Sequence, residues 1–211
     1  MLGTCPDLAY MVGILSQHTT TPGKTHVNAL NRAFQYLQAT VHHTLCFDGN
    51  ELRELTGFVD ADWAANINDR HSISGYIFML SSCMISWSSK KQGSVALSST
   101  EAEYIAGTHT VKEAIWLHTL LSELGELQDA PTTLLTDNQS AIAITKNPAY
   151  HTRTKHIKVQ HHFLWEKYMS RELNLEYIPI GNQVTDVLTK GLTCEKHEHF
   201  ISGMGIHWRT C

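Results

Sequence analysis

The feature that most constrains the fold is a group of three short apolar segments within residues 55–89. The segments LTGFVDADW, SGYIFML and CMISWSS are rich in β-branched and aromatic residues, and polar stretches separate them. This pattern predicts three consecutive strands, arranged as an antiparallel meander. A helical pattern over residues 99–124 follows directly, and it is long enough for about seven helical turns.

The rest of this region alternates between strands and helices. TTLLTD and LNLEYIPI have the composition of strands, helices are predicted at residues 138–147 and 155–170, and a last helix is predicted to begin in QVTDVLTKGL. Three strands followed by alternating helices and strands predict an α/β (α+β) fold. Its centre would be a mixed sheet with helices on its faces.

The first fifty residues have a different, helical pattern. Apolar residues recur at helical spacing, and Pro22 and Gly23 divide the run into two helices. The polar piece that follows contains a predicted turn at Asp48-Gly49. We therefore predict a helical segment over residues 1–50, a mixed α/β domain over 51–193 and a C-terminal tail over 194–211.

Composition narrows the class of protein. The 211 residues carry a formal net charge of −4, so nucleic-acid binding would need a local basic patch rather than a basic molecule. Five scattered cysteines without a CxxC pair indicate reduced thiols and an intracellular setting. We expect no membrane association, because apolar runs are short, and no small-molecule cofactor. The fourteen histidines fit no zinc-binding spacing.

Two glutamates stand one residue apart where VALSSTEAEYIA passes from strand to helix. At 100° per residue, Glu101 and Glu103 lie 200° apart and face opposite sides of the helix. The apolar stripe through Leu117, Leu121 and Leu124 leads back in turns to Glu103. Glu103 is therefore predicted to face the core, where a carboxylate needs a partner such as a cation. Glu101 is predicted to cap the helix at the surface.

Other acids stand where one predicted element changes into the next. Asp60 and Asp62 end the first strand of the meander, Asp137 ends TTLLTD, and Asp186 opens the predicted last helix. Taken singly, each fits a helix cap or a turn. Taken together, acids at element junctions can converge and hold Mg²⁺, which prefers carboxylate oxygens. Spacing alone leaves both interpretations open.

Four longer blocks occur in order along residues 54–193. They are FVDADWAANINDRHSISGYIFML, ISWSSKKQGSVALSSTEAEYIA, LLTDNQSAIAITKNPAYHTRTKHIKVQHHF and QVTDVLTKGL. In this order they resemble the ribonuclease H domain of Ty1/copia-type retrotransposon Pol polyproteins. The segment before them, from CPDLAYMVGILSQ onward, resembles the stretch that links reverse transcriptase to ribonuclease H. The paired-aspartate motif of a polymerase palm does not accompany them, so we expect no polymerase activity.

The resemblance implies a catalytic site of four metal-binding carboxylates. The first aspartate of DADWA is Asp60, the second glutamate of TEAEY is Glu103, the aspartate of TDNQSA is Asp137, and that of QVTDVLTK is Asp186. Asp62 shares a strand face with Asp60, and only the family alignment separates the two. The implied fold is ribonuclease H-like.

The resemblance also implies a reaction, which is hydrolysis of the RNA strand of RNA–DNA hybrids. Two Mg²⁺ ions, or Mn²⁺ in their place, are expected about 3.5–4 Å apart over the scissile phosphate. The implied partners are the hybrid and the reverse transcriptase portion of the parent polyprotein. The implied location is a cytoplasmic particle or the nucleus.

Candidate nucleic-acid contacts lie near these blocks, as small polar groups for the RNA 2′-hydroxyl and cations for phosphates. They are Ser99, Asn138, Lys90, Lys91, Arg153 and Lys155. A solvated surface charge is the alternative for each cation. Trp63 and Trp87 are predicted to belong to the core rather than to stack on substrate. Many ribonucleases H have a histidine in the loop that is IPIGNQVTD here; His151 or His156 is the candidate substitute, with a structural role as the alternative.

The chain departs from the family's blocks at four positions. Cys5 replaces an arginine, Lys158 an acid, Thr185 an alanine and Gly191 a proline. These changes leave the four predicted metal-binding carboxylates in place, but they are typical of a copy that is no longer under selection. The alternative function is therefore a catalytically silent relic that folds, and binds nucleic acid, without cleaving. An integrase-like nuclease and a metal-free adaptor are further alternatives.

Overall fold

The computed structural model describes residues 4–47, 54–128, 130–147 and 158–208. It contains seven strands in these ranges: β1 (His43–Leu45), β2 (Leu55–Asp62), β3 (Ile73–Leu80), β4 (Cys83–Lys91), β5 (Thr132–Thr136), β6 (Leu173–Tyr177) and β7 (Ile206–Trp208). Five of them form one sheet in the order β4-β3-β2-β5-β6. β2, β3 and β4 are antiparallel, whereas β5 and β6 run parallel to β2. The predicted meander and the mixed α/β fold are confirmed.

Six α-helices accompany the strands in the described residues. They are α1 (Ala9–Ser16), α2 (Lys24–Ala39), α3 (Ser99–Glu123), α4 (Gln139–Lys146), α5 (Lys158–Met169) and α6 (Cys194–Gly203). The longest, α3, begins after the N-cap Ser98 and ends just before Gly125, which adopts a positive φ of 84°. Glycine favours this left-handed conformation because it has no Cβ, and it is the usual residue just past a helix end.

The core lies on both faces of the five-stranded sheet. On one face, α3 and α5 pack through buried residues that include Val111, Leu117 and Leu164. On the other face, α6 and a short 3₁₀ helix, Val184–Leu188, pack on β3 and β4. The predicted stripe of α3 is correct for Leu117, but Leu124 is 69% exposed, because the helix ends before it.

The last helix is where the predicted and observed structures differ most. Asp186 was predicted to open an α-helix, but it lies inside the 3₁₀ helix, and α6 begins eight residues later. All five residues of the 3₁₀ helix are buried. They therefore lack the one-sided apolar periodicity of a surface α-helix, and contacts on several sides hold the segment in place.

A second, two-stranded sheet joins the N-terminal segment to the C-terminal tail. β1 pairs with β7 in an antiparallel ribbon, with His43 opposite Trp208. Apolar residues of α2, among them Phe34 at 59% exposure, face outward. The division into segments 1–50, 51–193 and 194–211 stays a prediction, and the turn at residues 48 and 49 lies outside the described ranges. Across the described residues, no helix is both long and apolar enough to cross a membrane.

Candidate active site

Three carboxylates meet at the edge of the sheet where β2 and β5 end. Asp60 lies near the end of β2, and Asp137 directly follows β5. The two strands are parallel neighbours, with Phe58 opposite Leu135, so their carboxyl ends lie at the same edge. Glu103 approaches this edge from the second turn of α3. One carboxylate oxygen from each of the three acids lies within 4.8 Å of the other two.

Glu101 and Glu103, in the first two turns of α3, face opposite sides of the helix. Ser98 Oγ accepts a hydrogen bond from the Glu101 backbone N–H, at 3.1 Å. In return, Glu101 Oε2 accepts one from the Leu97 backbone N–H, at 2.7 Å. Glu101 therefore caps the helix at the surface, as predicted. Glu103 faces inward and is 7% exposed.

The structure also separates the two aspartates of β2. Asp60 is 3% exposed, and its carboxylate accepts a hydrogen bond from Thr189 Oγ1. Asp62 is half-buried and does not belong to the group of three carboxylates among the described residues. The geometry thus favours Asp60 over Asp62 as a ligand, the choice that strand periodicity leaves open.

The fourth predicted acid, Asp186, is linked to Asp60 by the ammonium group of a lysine. Asp186 is 6% exposed, and its Oδ1 lies 2.8 Å from Lys190 Nζ. The same ammonium group lies 3.6 Å from Asp60 Oδ2. Lys190 therefore bridges Asp60 and Asp186, and its charge partly neutralises the acids around it.

Buried hydrogen bonds attach the 3₁₀ helix to the sheet. Gln183, which is fully buried, donates from Nε2 to the Val59 carbonyl at 2.9 Å. Ser89 of β4 donates from Oγ to the Leu188 carbonyl at 2.6 Å. Because one bond precedes Asp186 and the other follows it, the position of its carboxylate relative to β2 is fixed from both sides.

Gly75 allows the close approach of this segment to the sheet. It lies on β3 directly opposite Asp60. A Cβ at this position would lie 2.7 Å from Thr189 Cγ2 and 3.0 Å from Thr185 Cγ2, closer than carbon atoms pack. A larger residue here would push Thr189 away from Asp60.

Crowding of buried acids shifts their protonation. Burial, followed by repulsion from Asp60 and Asp137, holds the pKa of Glu103 well above its usual range. Burial and the charge of Asp60 also raise the pKa of Asp137. Burial raises the pKa of Asp186 to about 6, against the opposing effect of its bond to Lys190. Burial alone would lower the pKa of Lys190, but the surrounding aspartates raise it.

The donor set of the site suits a hard divalent cation. Glu103 Oε2 is buried and has no hydrogen-bond partner among the described residues. A buried, unpaired carboxylate oxygen is costly, and two further carboxylates lie beside it. Mg²⁺ and Mn²⁺ prefer such all-oxygen ligand sets. Asp60, Glu103 and Asp137 therefore fit a metal directly, whereas Asp186 lies outside this group among the described residues and is paired with Lys190.

The predicted phosphate contacts on β4 differ from each other. Lys90 is exposed and lines a groove of about 610 Å³ together with His109 and Lys112 of α3. Lys91 is paired with Asp69 and also donates to Gln17 Oε1, at 3.2 Å. Lys90 therefore presents a charge to solvent, whereas Lys91 is engaged within the protein.

The remaining predicted contacts have mixed outcomes. Ser99 is exposed at the start of α3. Asn138 is the N-cap of α4, and its Oδ1 accepts a hydrogen bond from the Ala141 backbone N–H at 3.0 Å. The other four candidates lie outside the described residues: Arg153, Lys155, His151 and His156.

The two tryptophans also differ. Trp87 packs against the apolar cluster beneath α6, which confirms its predicted place in the core. The prediction is wrong for Trp63, which is 47% exposed. It follows the end of β2 directly, where the chain leaves the sheet and cannot bury a large ring beneath it.

Sequence reasoning missed several residues that position the site. The sequence does contain a signal for Lys190. It follows Asp186 by four residues in a helical pattern, and this spacing favours an ion pair. Thr189, Gln183 and Gly75 gave no such signal. Their roles depend on which segments the fold brings together, and a single sequence does not contain that information.

Comparison with curated proteins gives long matches. The Pol polyprotein from transposon TNT 1-94 of Nicotiana tabacum is 43% identical over 207 residues, or 98% of this chain and 15% of the relative. The Pol polyprotein from transposon RE1 of Arabidopsis thaliana is 38% identical over 203 residues, or 96% of this chain and 14% of the relative. This chain belongs to the Ty1/copia-type Pol polyprotein family. It spans about a seventh of the length of these copia-type relatives.

A shorter relative and two solved structures complete the comparison. Secreted RxLR effector protein 161 of Plasmopara viticola is 49% identical over 117 residues, 56% of this copia-type chain and 82% of the effector. LC11-RNase H1 in complex with an RNA/DNA hybrid matches with a TM-score of 0.49 and 17% identity. RNase H1 from Halobacterium salinarum NRC-1 gives 0.48 and 13%. Each covers 64% of this chain and 94% of the known structure. No protein-family model matches the chain.

Proposed function

We propose that this chain is a metal-dependent ribonuclease of the ribonuclease H type, which cuts the RNA strand of RNA–DNA hybrids during copia-type reverse transcription. The observation that carries the proposal is the meeting of Asp60, Glu103 and Asp137 within 4.8 Å. Membership of the Pol family supports the same substrate. The proposed partner is the reverse transcriptase portion of the parent polyprotein, in a cytoplasmic particle or the nucleus.

Each residue of the site has a distinct proposed part. A bound Mg²⁺ or Mn²⁺ supplies an activated water and neutralises phosphate charge. Asp60, Glu103 and Asp137 would hold the cation, the two aspartates from neighbouring strand ends and the glutamate from α3. Asp186 is the fourth proposed ligand. Lys190, already 2.8 Å from Asp186, neutralises part of the negative charge that would otherwise repel the phosphate backbone.

Contacts outside the carboxylates would select and hold the substrate. Exposed Ser99 lies four residues before Glu103, one helical turn away, so its hydroxyl is a proposed contact for the RNA 2′-hydroxyl. Asn138 adjoins Asp137, and its amide nitrogen is a second proposed contact. Lys90 is the proposed phosphate contact with the clearest support, since it is exposed. Lys91 would first have to leave Asp69.

The test is cleavage of an RNA–DNA hybrid labelled on either strand by the purified chain, with Mg²⁺ or with EDTA. We expect cutting of the RNA strand alone, abolished by EDTA. Asp137→Asn keeps the shape of the side chain but removes its charge. It should lower the rate by about a hundredfold or more, the scale of losing one group that stabilises a transition state.

Asp62→Asn is the matched control. It makes the same chemical change on the same strand as Asp60, but at an acid outside the group of three carboxylates. We expect this variant to retain most of the wild-type rate. Equal loss in Asp62→Asn and Asp137→Asn would contradict the proposed site, and cutting of both strands would contradict the proposed substrate.

A silent relic is the second candidate function, and one observation favours it. Thr185 departs from the family's alanine at a fully buried position, and its hydroxyl has no hydrogen-bond partner among the described residues. A chain no longer under selection accumulates such changes. Under this alternative, the folded chain would bind Mg²⁺ or hybrid and leave both strands intact.

A further inference from the structure

An exposed apolar surface adjoins the candidate active site. Trp63 is 47% exposed, Val95 46% and Leu97 78%. We call these three residues the apolar rim. Scattered apolar side chains are common on protein surfaces, but a tryptophan with apolar neighbours beside a polar site is typical of an interaction surface.

The apolar rim is held in place by a hydrogen bond rather than by burial. Trp63 Nε1 donates to the carbonyl of Ala96 at 2.9 Å. Ala96 lies between Val95 and Leu97 and is 3% exposed, so this bond places the tryptophan beside both other members of the rim. The ring is therefore fixed while much of its surface faces solvent, which lowers the entropy cost of binding something against it.

The two loops that form the rim also lead to two of the carboxylates. Trp63 follows Asp60 by three residues, so their Cα atoms lie at most about 10 Å apart. Leu97 donates its backbone N–H to the side chain of Glu101, which precedes Glu103 by two residues on α3. Along one strand of a duplex, successive nucleotides rise by about 3.4 Å. The Cα atom of Trp63 is thus within about three nucleotides of any phosphate held at Asp60.

We propose that the apolar rim contacts the sugar and base edges of the nucleotides next to the scissile phosphate, with Trp63 as the main contact. This rests on the proposed function, since it places a nucleic-acid strand over the carboxylates. The rim lacks charge, whereas the carboxylates beside it repel phosphate in the absence of metal. It therefore supplies affinity that depends little on salt, unlike the contribution of Lys90, which should weaken as salt rises.

The test measures binding of a fluorescently labelled RNA–DNA hybrid to the full chain in Ca²⁺ or EDTA, and cleavage of the same hybrid in Mg²⁺. Trp63→Ala should raise the Kd and the KM about tenfold, the scale of losing one large apolar side chain from a contact. Trp63→Phe keeps an aromatic ring but loses the N–H donor, and should raise both by a smaller factor. The ratio of Kd values for Trp63→Ala and wild type should stay constant as salt rises, whereas the ratio for Lys90→Ala should shrink.

Trp116→Ala is the matched control. Trp116 is 55% exposed but lies thirteen residues beyond Glu103 on α3, about 20 Å along the helix axis. We expect this variant to bind and cut as the wild type does. Thermal melting of each variant checks that it is folded, and Leu97→Ser tests the same rim should Trp63→Ala fail to fold.

Failure of this proposal and failure of the proposed function give different results. Wild-type cleavage with an unchanged Kd and KM in Trp63→Ala would overturn the rim and leave the nuclease standing. Trp63→Phe as impaired as Trp63→Ala would also overturn it, because the indole N–H then acts by holding the loop. Binding that depends on Trp63 without cleavage would refute the nuclease and support the rim. A folded wild-type chain that binds no hybrid would overturn the rim itself.

Discussion

The candidate site is built from two regions of different character. Asp60, Glu103 and Asp137 lie on or next to regular elements whose backbone hydrogen bonds fix them locally. Asp186 lies on a buried 3₁₀ helix, positioned by side-chain bonds to the sheet and by Lys190. The first region keeps its geometry through strand pairing and the packing of α3 on the sheet, whereas the second depends on a few side-chain contacts. We call the contact between Gly75 and Thr189, where the two regions meet, the junction. A substitution at the junction should therefore displace Asp186 more than it displaces the other three acids.

Filling the space at Gly75, where the two regions meet, should destabilise the fold more than the other substitutions below. Gly75→Ala places a Cβ 2.7 Å from Thr189 Cγ2, so the 3₁₀ helix must shift. We expect a loss of about 2–3 kcal/mol in the free energy of unfolding, the scale of an overpacked core, measured by urea titration. Crystallographic or NMR analysis should show Lys190 displaced from Asp60, with Asp60, Glu103 and Asp137 still together.

Gly107→Ala is the control for this substitution. Gly107 lies one turn after Glu103 on α3, and a Cβ there would meet Leu164 Cδ2 at 3.5 Å, an ordinary contact distance. Since alanine favours a helix interior over glycine by up to about 1 kcal/mol, this variant should be slightly more stable than the wild type. Similar destabilisation by both changes would mean that Gly75 has no special role at the junction.

The contrast between the regions also explains what the sequence could predict. Strand alternation and helix periodicity located β2, α3 and β5, and the 200° between Glu101 and Glu103 decided which glutamate faces inward. The same rules failed at Asp186, because a segment buried on all sides has no periodicity to read. The metal-binding roles of the four acids stay predictions, and the choice of Asp60 over Asp62 came from family resemblance.

The pH dependence of stability in the absence of metal should separate the contributions of acids from the two regions. The pKa values of Glu103, Asp137 and Asp186 are all raised in the folded state, that of Asp186 to about 6. Between pH 5 and 7 these three carboxyl groups therefore bind more protons in the folded chain than in the unfolded chain, and the stability they contribute falls as pH rises. We expect a loss on the order of 1–3 kcal/mol over this window in EDTA.

Thermal melting in EDTA and in Mg²⁺ checks this expectation. Mg²⁺ should offset most of the loss at pH 7, because it stabilises the ionised carboxylates. Asp186→Asn should flatten the EDTA profile in part, and Glu103→Gln should remove a further part. Wild-type and variant profiles in EDTA with the same slope from pH 5 to 7 would contradict the effect of burial and repulsion inferred for these acids.

A smaller effect should follow from loosening the regular region. Ser98→Ala removes the side chain that caps α3, which costs about 1 kcal/mol of stability for a typical N-cap. The first turn that leads to Glu103 would fray, so the rise in melting temperature produced by Mg²⁺ should shrink. Ser98→Asp retains a capping oxygen and should preserve both quantities. An equal loss in the two variants would show that the cap is not what holds this turn.

The smallest expected effect has the opposite sign and concerns Thr185. Its Oγ1 is buried without a hydrogen-bond partner among the described residues, and its Cγ2 faces Gly75. Thr185→Val removes the unsatisfied hydroxyl and keeps the packed methyl group, so it should stabilise the fold by about 1 kcal/mol. Thr185→Ala should stabilise less, because it also gives up a buried methyl worth about 0.8 kcal/mol. Urea titration of both variants separates the two contributions. If the alanine variant is stabilised and the valine variant is unchanged, Thr185 destabilises the fold by crowding against Gly75 and not through its buried hydroxyl.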